Sequence, residues 1–262
     1  MIHILQALIL GITQGLTEFI PVSSSGHLIL VGHLIGFKDS GLAFDTALDI
    51  GTLGALLIFF RRDIVDLLRG LISRTEHSRL SWLMVLATVP GVLAGVALQH
   101  LAETTFRSAE LVAINLIIVA FVMLAADRLS KGRLDTSDIT AGRAVSIGLA
   151  QALALVPGVS RSGITISAGM LAGLDRVSAT RFSFLLSAPI IAGATAKVVL
   201  KPENLAQWET DWALYLTGII GAFVSGYLAI KFMLSYLGKH GLSAFAYYRI
   251  VVGAVILAIG LK

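Results

Sequence analysis

No cysteine occurs among the 262 residues. Disulfide staples, thiolate nucleophiles and zinc–thiolate centres are therefore excluded. Charge is scarce as well: Asp, Glu, Lys and Arg make up 14% of the chain, against about 25% in a soluble domain. A water-facing surface needs more polar cover than that. The N-terminal stretch lacks the basic cluster of a signal peptide and carries Gln14 and Glu18, so it is read as retained structure. What the chain has instead is 56% apolar residues and a mean hydropathy of +0.87. That combination points to an integral membrane protein. The net charge of +4 is no sign of nucleic-acid binding, because basic residues of membrane proteins mark cytoplasmic loops.

A crossing helix needs about 20 mostly apolar residues. Six stretches qualify: 41–60, 80–99, 110–127, 182–200, 212–234 and 243–261. Two further apolar regions, 2–36 and 142–174, are interrupted at Pro21–His27 and at Pro157–Gly163. Each half of such a region runs about 15 residues, or roughly 22 Å of helix, which is short for a span. Each region is therefore two short spans or one re-entrant pair, and the re-entrant reading is favoured. Irregular backbone at membrane depth must be buried in protein or line a wet cavity.

Basic residues gather at 61–79 (five Arg), at 127–143, at 175–181 and at Lys239. The intervening segments 100–110 and 201–211 hold Arg107 and Lys201 against Glu103, Glu110, Glu203, Glu209 and Asp211. Two re-entrant pairs put every basic loop on the cytoplasmic side and both termini outside. Two full crossings per broken region give the same sidedness, so charge alone does not separate these options.

The two breaks resemble each other at one offset. Gly11 and Gly148, Gln14 and Gln151, Ser23 and Ser160, Ser25 and Ser162, and Gly26 and Gly163 are each 137 positions apart. The expected architecture is an all-α polytopic membrane protein with six transmembrane helices and two re-entrant helix pairs. It forms one integral membrane domain over 1–262, with halves roughly 1–130 and 141–262. Three spans per half make this an inverted-topology repeat, whose functional site belongs at the interface of the halves.

The second break holds Ser160, Arg161, Ser162, Gly163 and Thr165. An Arg in an apolar region is costly unless something anionic or polar meets it, and its guanidinium fits phosphate oxygens two at a time. The hydroxyls add donors, and a helix restarting after Gly163 offers free N–H groups, which favour anions. The first break holds Gln14 and Glu18, one helical turn apart, then Ser23, Ser24, Ser25 and His27. Glu18 is a candidate cation ligand or general base, and His27 a candidate acid, base or nucleophile. Asp45 and Asp49 share a face of 41–60 and line the cavity, bind a cation or sit on a hydrated outer rim.

The run from Gln14 to His27 resembles the (E/Q)xxxE-to-SSxGH signature of the BacA-type undecaprenyl-pyrophosphate phosphatases. Pro157–Thr165 is similar to that family's PGxSRSxxT signature. The resemblance covers the whole chain in length and motif order. It implies hydrolysis of the C55 polyprenyl pyrophosphate to the monophosphate in the bacterial cytoplasmic membrane, recycling the carrier lipid of cell-wall synthesis and conferring bacitracin resistance. It also implies a homodimer, a site open to the external side, and no organic cofactor. Two positions depart from the family's pattern: Gln14 stands at the first acidic position, and Asp49 where His or Gln is expected.

On this reading Ser23, Ser25, Ser160, Arg161, Ser162, Gly163 and Thr165 bind the phosphates. Glu18 with Gln14 holds a divalent cation, Mg²⁺ or Ca²⁺. The nucleophile is Ser24 with His27 as its partner, His27 itself, or water, and the first is preferred. The competing reading is a polyprenyl-phosphate flippase built on the same inverted repeat.

Overall fold

The computed structural model describes residues 2–37, 42–104, 108–199, 201 and 208–260. Arg107 and Glu203, used above in weighing the loops, lie outside them, as do the last residues at both ends of the chain. Eleven α-helices of eleven or more residues occur among the described residues. In chain order they are α1 (Ile2–Phe19), α2 (Ser24–Leu34), α3 (Leu42–Phe59), α4 (Arg61–Ile72), α5 (Ser78–Thr104) and α6 (Ala109–Leu129), followed by α7 (Ala141–Leu153), α8 (Arg161–Leu171), α9 (Arg176–Val199), α10 (Trp212–Leu237) and α11 (Ser243–Ile259). Their only β pairing is an isolated bridge, Leu134 to Leu174. The protein is an all-α multi-pass membrane protein.

Each of the six predicted spans is a helix. Those in α5, α6, α9 and α10 are long and apolar enough to cross a bilayer by themselves. Helix α11 is apolar but shorter, at 17 residues. Helix α3 meets α4 at a bend of 81°. Arg61, Arg62 and Asp63 open α4, and these charges do not continue into hydrocarbon. With Val65, Leu68 and Ile72 exposed on its apolar side, α4 has the pattern of a helix lying in the interface.

Both interrupted regions fold back on themselves. Gln6, early in α1, donates through Nε2 to the carbonyl of Ile35 just past α2, at 2.7 Å. Arg143, early in α7, donates through Nε to the carbonyl of Ala172 just past α8, at 3.0 Å. The start and end of each pair therefore lie side by side. About 14 residues of α1 separate Gln6 from the break, so the tip lies roughly 21 Å along the helix from that contact, less than the roughly 30 Å of a hydrocarbon core. Residues 6 and 143, and residues 35 and 172, are 137 apart, the offset of the sequence motifs. Ser23 and Ser160 share it too, and they are the two described non-glycine residues with positive φ, at 77° and 68°.

The packing crosses between the two halves. Helix α1 lies on α10, α7 lies on α5, and α3 packs on α9. Closeness at the crossings depends on glycine. A Cβ on Gly11 would stand 2.2 Å from the Gly218 carbonyl oxygen, and one on Gly148 2.3 Å from that of Ala87. Helices in a bilayer associate through such close approaches, because apolar burial alone gives them no preference over lipid. Gly148→Val is expected to destabilise the protein by about 1–3 kcal/mol, as overpacking does. Thermal unfolding in detergent checks this, and an unchanged midpoint would show that α5 and α7 can part freely.

The basic loops share one face. Arg79 donates to the carbonyls of Ser137 and Ile139 at 2.7 and 2.6 Å. Arg176 pairs with Asp127 at 2.7 Å, Arg181 with Asp63 at 2.5 Å, and Ser243 donates to Asp127 at 2.8 Å. Loops 61–79, 127–143, 175–181 and 235–242 are thus gathered at one end of the bundle. Around the Gln6–Ile35 contact lies an aromatic group, with Phe44 against Phe37 and Tyr215, and Trp208 against Tyr215.

Candidate active site

The breaks place two helix N-termini beside each other in the protein interior. Helix α2 begins at Ser24 and α8 at Arg161. The α8 restart therefore lies three residues before the predicted position, and Arg161 sits in its first turn. The loops are tied directly, since the Gly158 N–H donates to Ser25 Oγ at 3.3 Å. Asn115 on α6 donates to the carbonyl of Pro157 at 3.0 Å.

Arg161 and Glu18 form an ion pair across the two breaks, with side chains only 14% and 12% exposed. The Arg161 guanidinium also donates to the Ser187 carbonyl on α9 at 3.3 Å. Glu18 Oε2 accepts from Ser24 Oγ at 2.7 Å and from Gln14 Nε2 at 3.2 Å. The same Gln14 nitrogen donates to Asp49 Oδ1 at 2.8 Å. A serine hydroxyl, a guanidinium and an amide thus converge on one carboxylate, and the amide of Gln14 joins it to a second carboxylate from α3.

Two cavities flank the Glu18–Arg161 pair. One, of about 570 Å³, lies among α1, α2, α3 and α9, and its wall includes Asp45, Asp49, His33 and Phe37. The other, of about 280 Å³, lies among α1, α5, α7 and the breaks, and its wall includes Thr17, Ser23, Ser160 and Gln151. Glu18, Ser24, Ser25, Pro157, Arg161 and Ile190 line both.

The predicted site residues divide. Gln14, Glu18, Ser23, Ser24, Ser25, Ser160 and Arg161 line one or both cavities. Ser162, Gly163 and Thr165 line neither. Ser162 is buried against Ser160 Oγ at 3.3 Å. The Gly163 N–H donates to Ser160 Oγ at 3.2 Å. Thr165 donates to the Arg161 carbonyl at 2.7 Å and meets Ser183 Oγ. These three shape the turn that presents Ser160 and Arg161 rather than facing a ligand, because an α8 starting at Arg161 turns them into the bundle.

His27 also differs from expectation. It is 6% exposed and does not bond Ser24. Its Nδ1 donates to the Ser23 carbonyl at 2.8 Å, and its Nε2 meets Tyr248 Oη at 2.8 Å with the rings stacked. With both nitrogens engaged, the ring holds the Ser23 turn. The partner of Ser24 is Glu18, which lies across the break where the Ser24 side chain points.

Among the described residues, no group of three or more His, Asp or Glu could hold a metal ion. Two carboxylates, Glu18 and Asp49, do stand either side of one amide, and Gln14 Oε1 is buried without a partner. One or two carboxylates completed by substrate phosphate oxygens are the usual Mg²⁺ set, so these residues fit a divalent cation.

Arg249 on α11 is missing from the sequence-based set. It is fully buried and donates to five carbonyls, those of Pro21, Asn115, Leu116, Gly158 and Val159. The signal was present: a charge in the middle of an apolar span is as costly there as at position 161.

Residues 7–255 match the family described as bacitracin resistance protein BacA. The undecaprenyl-diphosphatase of Moorella thermoacetica is 45% identical over 258 residues, covering 98% of this chain and 97% of the relative. Those of Desulforudis audaxviator and Caldicellulosiruptor bescii are 44% and 43% identical, covering 98% and 97% of this chain and 97% and 96% of theirs. The chain belongs to the BacA bacitracin-resistance family.

Proposed function

We infer that the protein is an undecaprenyl-diphosphatase, a membrane hydrolase that converts a C55 polyprenyl pyrophosphate to the monophosphate and inorganic phosphate. The observation that carries this is the Ser24 hydroxyl donating to Glu18 at 2.7 Å while Arg161 holds the other oxygen of the same carboxylate. A carrier has no need of an activated nucleophile, whereas group transfer does. In the bacterial membrane this reaction recycles the cell-wall lipid carrier and removes the form that bacitracin binds.

The terminal phosphoryl group meets Arg161, Ser160 and the two helix N-termini, all of which favour an anion. Ser24 Oγ attacks the terminal phosphorus and its proton passes to Glu18 Oε2. The bond from that phosphorus to the bridging oxygen breaks, and polyprenyl monophosphate leaves. Glu18 passes that proton to the departing monophosphate. Water then attacks the phosphoserine phosphorus, its proton passing through Glu18 to Ser24 Oγ as the phosphorus–Oγ bond breaks and inorganic phosphate leaves. Arg161 offsets charge on the phosphoryl oxygens. A divalent cation held by Glu18, Asp49 and Gln14 would supply further neutralisation of phosphate charge.

The larger cavity ends at Phe37 and Asp45, away from the face that gathers the basic loops. By the positive-inside rule the site faces the external side of the membrane. The crossed helix packing and the common offset of 137 support reading the halves 1–130 and 141–262 as inverted copies in one domain. The family resemblance supports a homodimer.

The test is phosphate release from a long-chain polyprenyl pyrophosphate by detergent-purified protein, beside Ser24→Ala. Turnover is expected to fall at least about 10³-fold, within the range for loss of a covalent nucleophile. A Ser24→Ala protein within tenfold of the unaltered one would remove Ser24 as nucleophile and leave water activated by Glu18.

A further inference from the structure

The two cavities beside the Glu18–Arg161 pair differ in charge. The larger carries Asp45, Asp49 and Glu18 against Arg161, whereas the smaller carries only Glu18 against Arg161. A phosphate group therefore meets three carboxylates in the first and one in the second. The smaller cavity is also where the hydroxyls of Thr17, Ser23 and Ser160 collect.

Gln151 forms part of its wall. The side chain is 3% exposed, and neither Nε2 nor Oε1 has a hydrogen-bond partner. Buried amides are normally satisfied, so a wholly orphaned one asks for an explanation. The backbone around it leaves little choice of position: the amide lies against Gly91 on α5, where an added Cβ would stand 3.3 Å from Nε2. Gln14, 137 positions earlier, has its Nε2 engaged by two carboxylates. Gln151 lines the same cavity as the hydroxyls of Ser23 and Ser160 and the Arg161 guanidinium, which are ligands for an anion rather than for a cation.

We propose that the smaller cavity is the seat of the terminal phosphoryl group and of the inorganic phosphate it becomes, and that Gln151 donates a hydrogen bond to that phosphate. The inference rests on the phosphatase reading for the origin of the anion, but not for the existence of the seat. It assigns the larger, acid-lined cavity to the leaving lipid monophosphate and its counter-cation. Product phosphate must leave past Arg161 or through the α5–α7 side.

Inorganic phosphate is the probe, with the full-length protein in detergent and the variants Gln151→Leu and Gln151→Glu. The first readout is thermal unfolding with and without millimolar phosphate. Phosphate is expected to raise the midpoint of the unaltered protein and not that of either variant. Without phosphate, Gln151→Leu is expected to keep or raise the midpoint, since it replaces an unpaired buried amide by an apolar group. The second readout is inhibition of polyprenyl-pyrophosphate hydrolysis by phosphate. Its inhibition constant is expected to rise about 10- to 100-fold in Gln151→Leu, the worth of one hydrogen bond to a charged group, and further in Gln151→Glu.

An unchanged inhibition constant in both variants would overturn the proposal. So would a lowered midpoint of Gln151→Leu in the absence of phosphate, which would mark Gln151 as a structural residue. A protein stabilised by phosphate through Gln151 that hydrolyses no pyrophosphate keeps the seat and overturns the phosphatase reading. One that hydrolyses while phosphate neither stabilises nor inhibits it overturns the seat and keeps the phosphatase.

Discussion

Replacing Arg249 with methionine is expected to destabilise the protein by roughly 3–5 kcal/mol, the cost of removing one side of a buried charged network. The guanidinium makes five bonds to carbonyls, from 2.8 Å at Gly158 to 3.4 Å at Asn115. Those carbonyls belong to the first break, the second break and α6. Without it the carbonyls of Pro21, Gly158 and Val159 lose their buried donor, each at a penalty of about 1–3 kcal/mol before relaxation, whereas those of Asn115 and Leu116 keep their bonds within α6. Methionine fills part of the volume, so the loss is in hydrogen bonding rather than packing. Arg249→Lys should recover only part, because an ammonium has three donors and no planar fork. Thermal unfolding in detergent measures both variants. A methionine variant within about two degrees of the unaltered protein would show that these carbonyls find other donors. Activity should fall with stability, since the same bonds hold the turns that present Ser24 and Arg161.

Arg161→Lys is expected to lower kcat by 10³-fold or more while leaving the fold intact. Arginine donors that meet a transferring phosphoryl group are worth about 10³–10⁵ in kcat. The guanidinium spans Glu18 and the Ser187 carbonyl at once, and the residue lines both cavities. Lysine can keep the charge and pair with Glu18, but it cannot hold two oxygens in one plane. Stability should therefore change little while turnover collapses. Glu18→Gln should be comparably inactive, because Ser24 loses its proton acceptor. The double variant should be scarcely worse than either single change, as residues acting as one unit are non-additive. Saturating-substrate turnover checks all three, and near-normal kcat in Arg161→Lys would remove that residue from the phosphate clamp.

Several features were legible from composition and spacing alone. Apolar runs of membrane-spanning length appear as helices because backbone groups in lipid have no other way to be satisfied. The loops that the clustering of Arg and Lys assigns to one side lie at one end of the bundle, where Arg79, Arg176 and Arg181 bridge them. Both breaks were visible as Pro, Gly and Ser runs, and costly charges at Glu18 and Arg161 marked the chemistry.

Other features depend on where helices end and which faces meet. The partner of Ser24 is Glu18 rather than His27, because α2 starts at Ser24 and turns His27 toward Tyr248 on α11. Ser162, Gly163 and Thr165 share a motif with Arg161, yet a helix beginning at Arg161 directs them into the bundle. Asp49 reaches the site from α3 and Gln151 from α7; the sequence marked Asp49 only as a cavity or rim residue and Gln151 only as the repeat mate of Gln14, and their contacts depend on how those helices pack. Arg249 carried the right warning in its cost, but its five acceptors lie on three separate segments. Residue type and hydropathy period thus determined the class of protein, its helices and the chemistry on offer. The pairing of Ser24 with Glu18, and the division into two cavities of different lining, came only from tertiary packing, since hydrogen bonds and charge act across contacts that linear spacing does not encode.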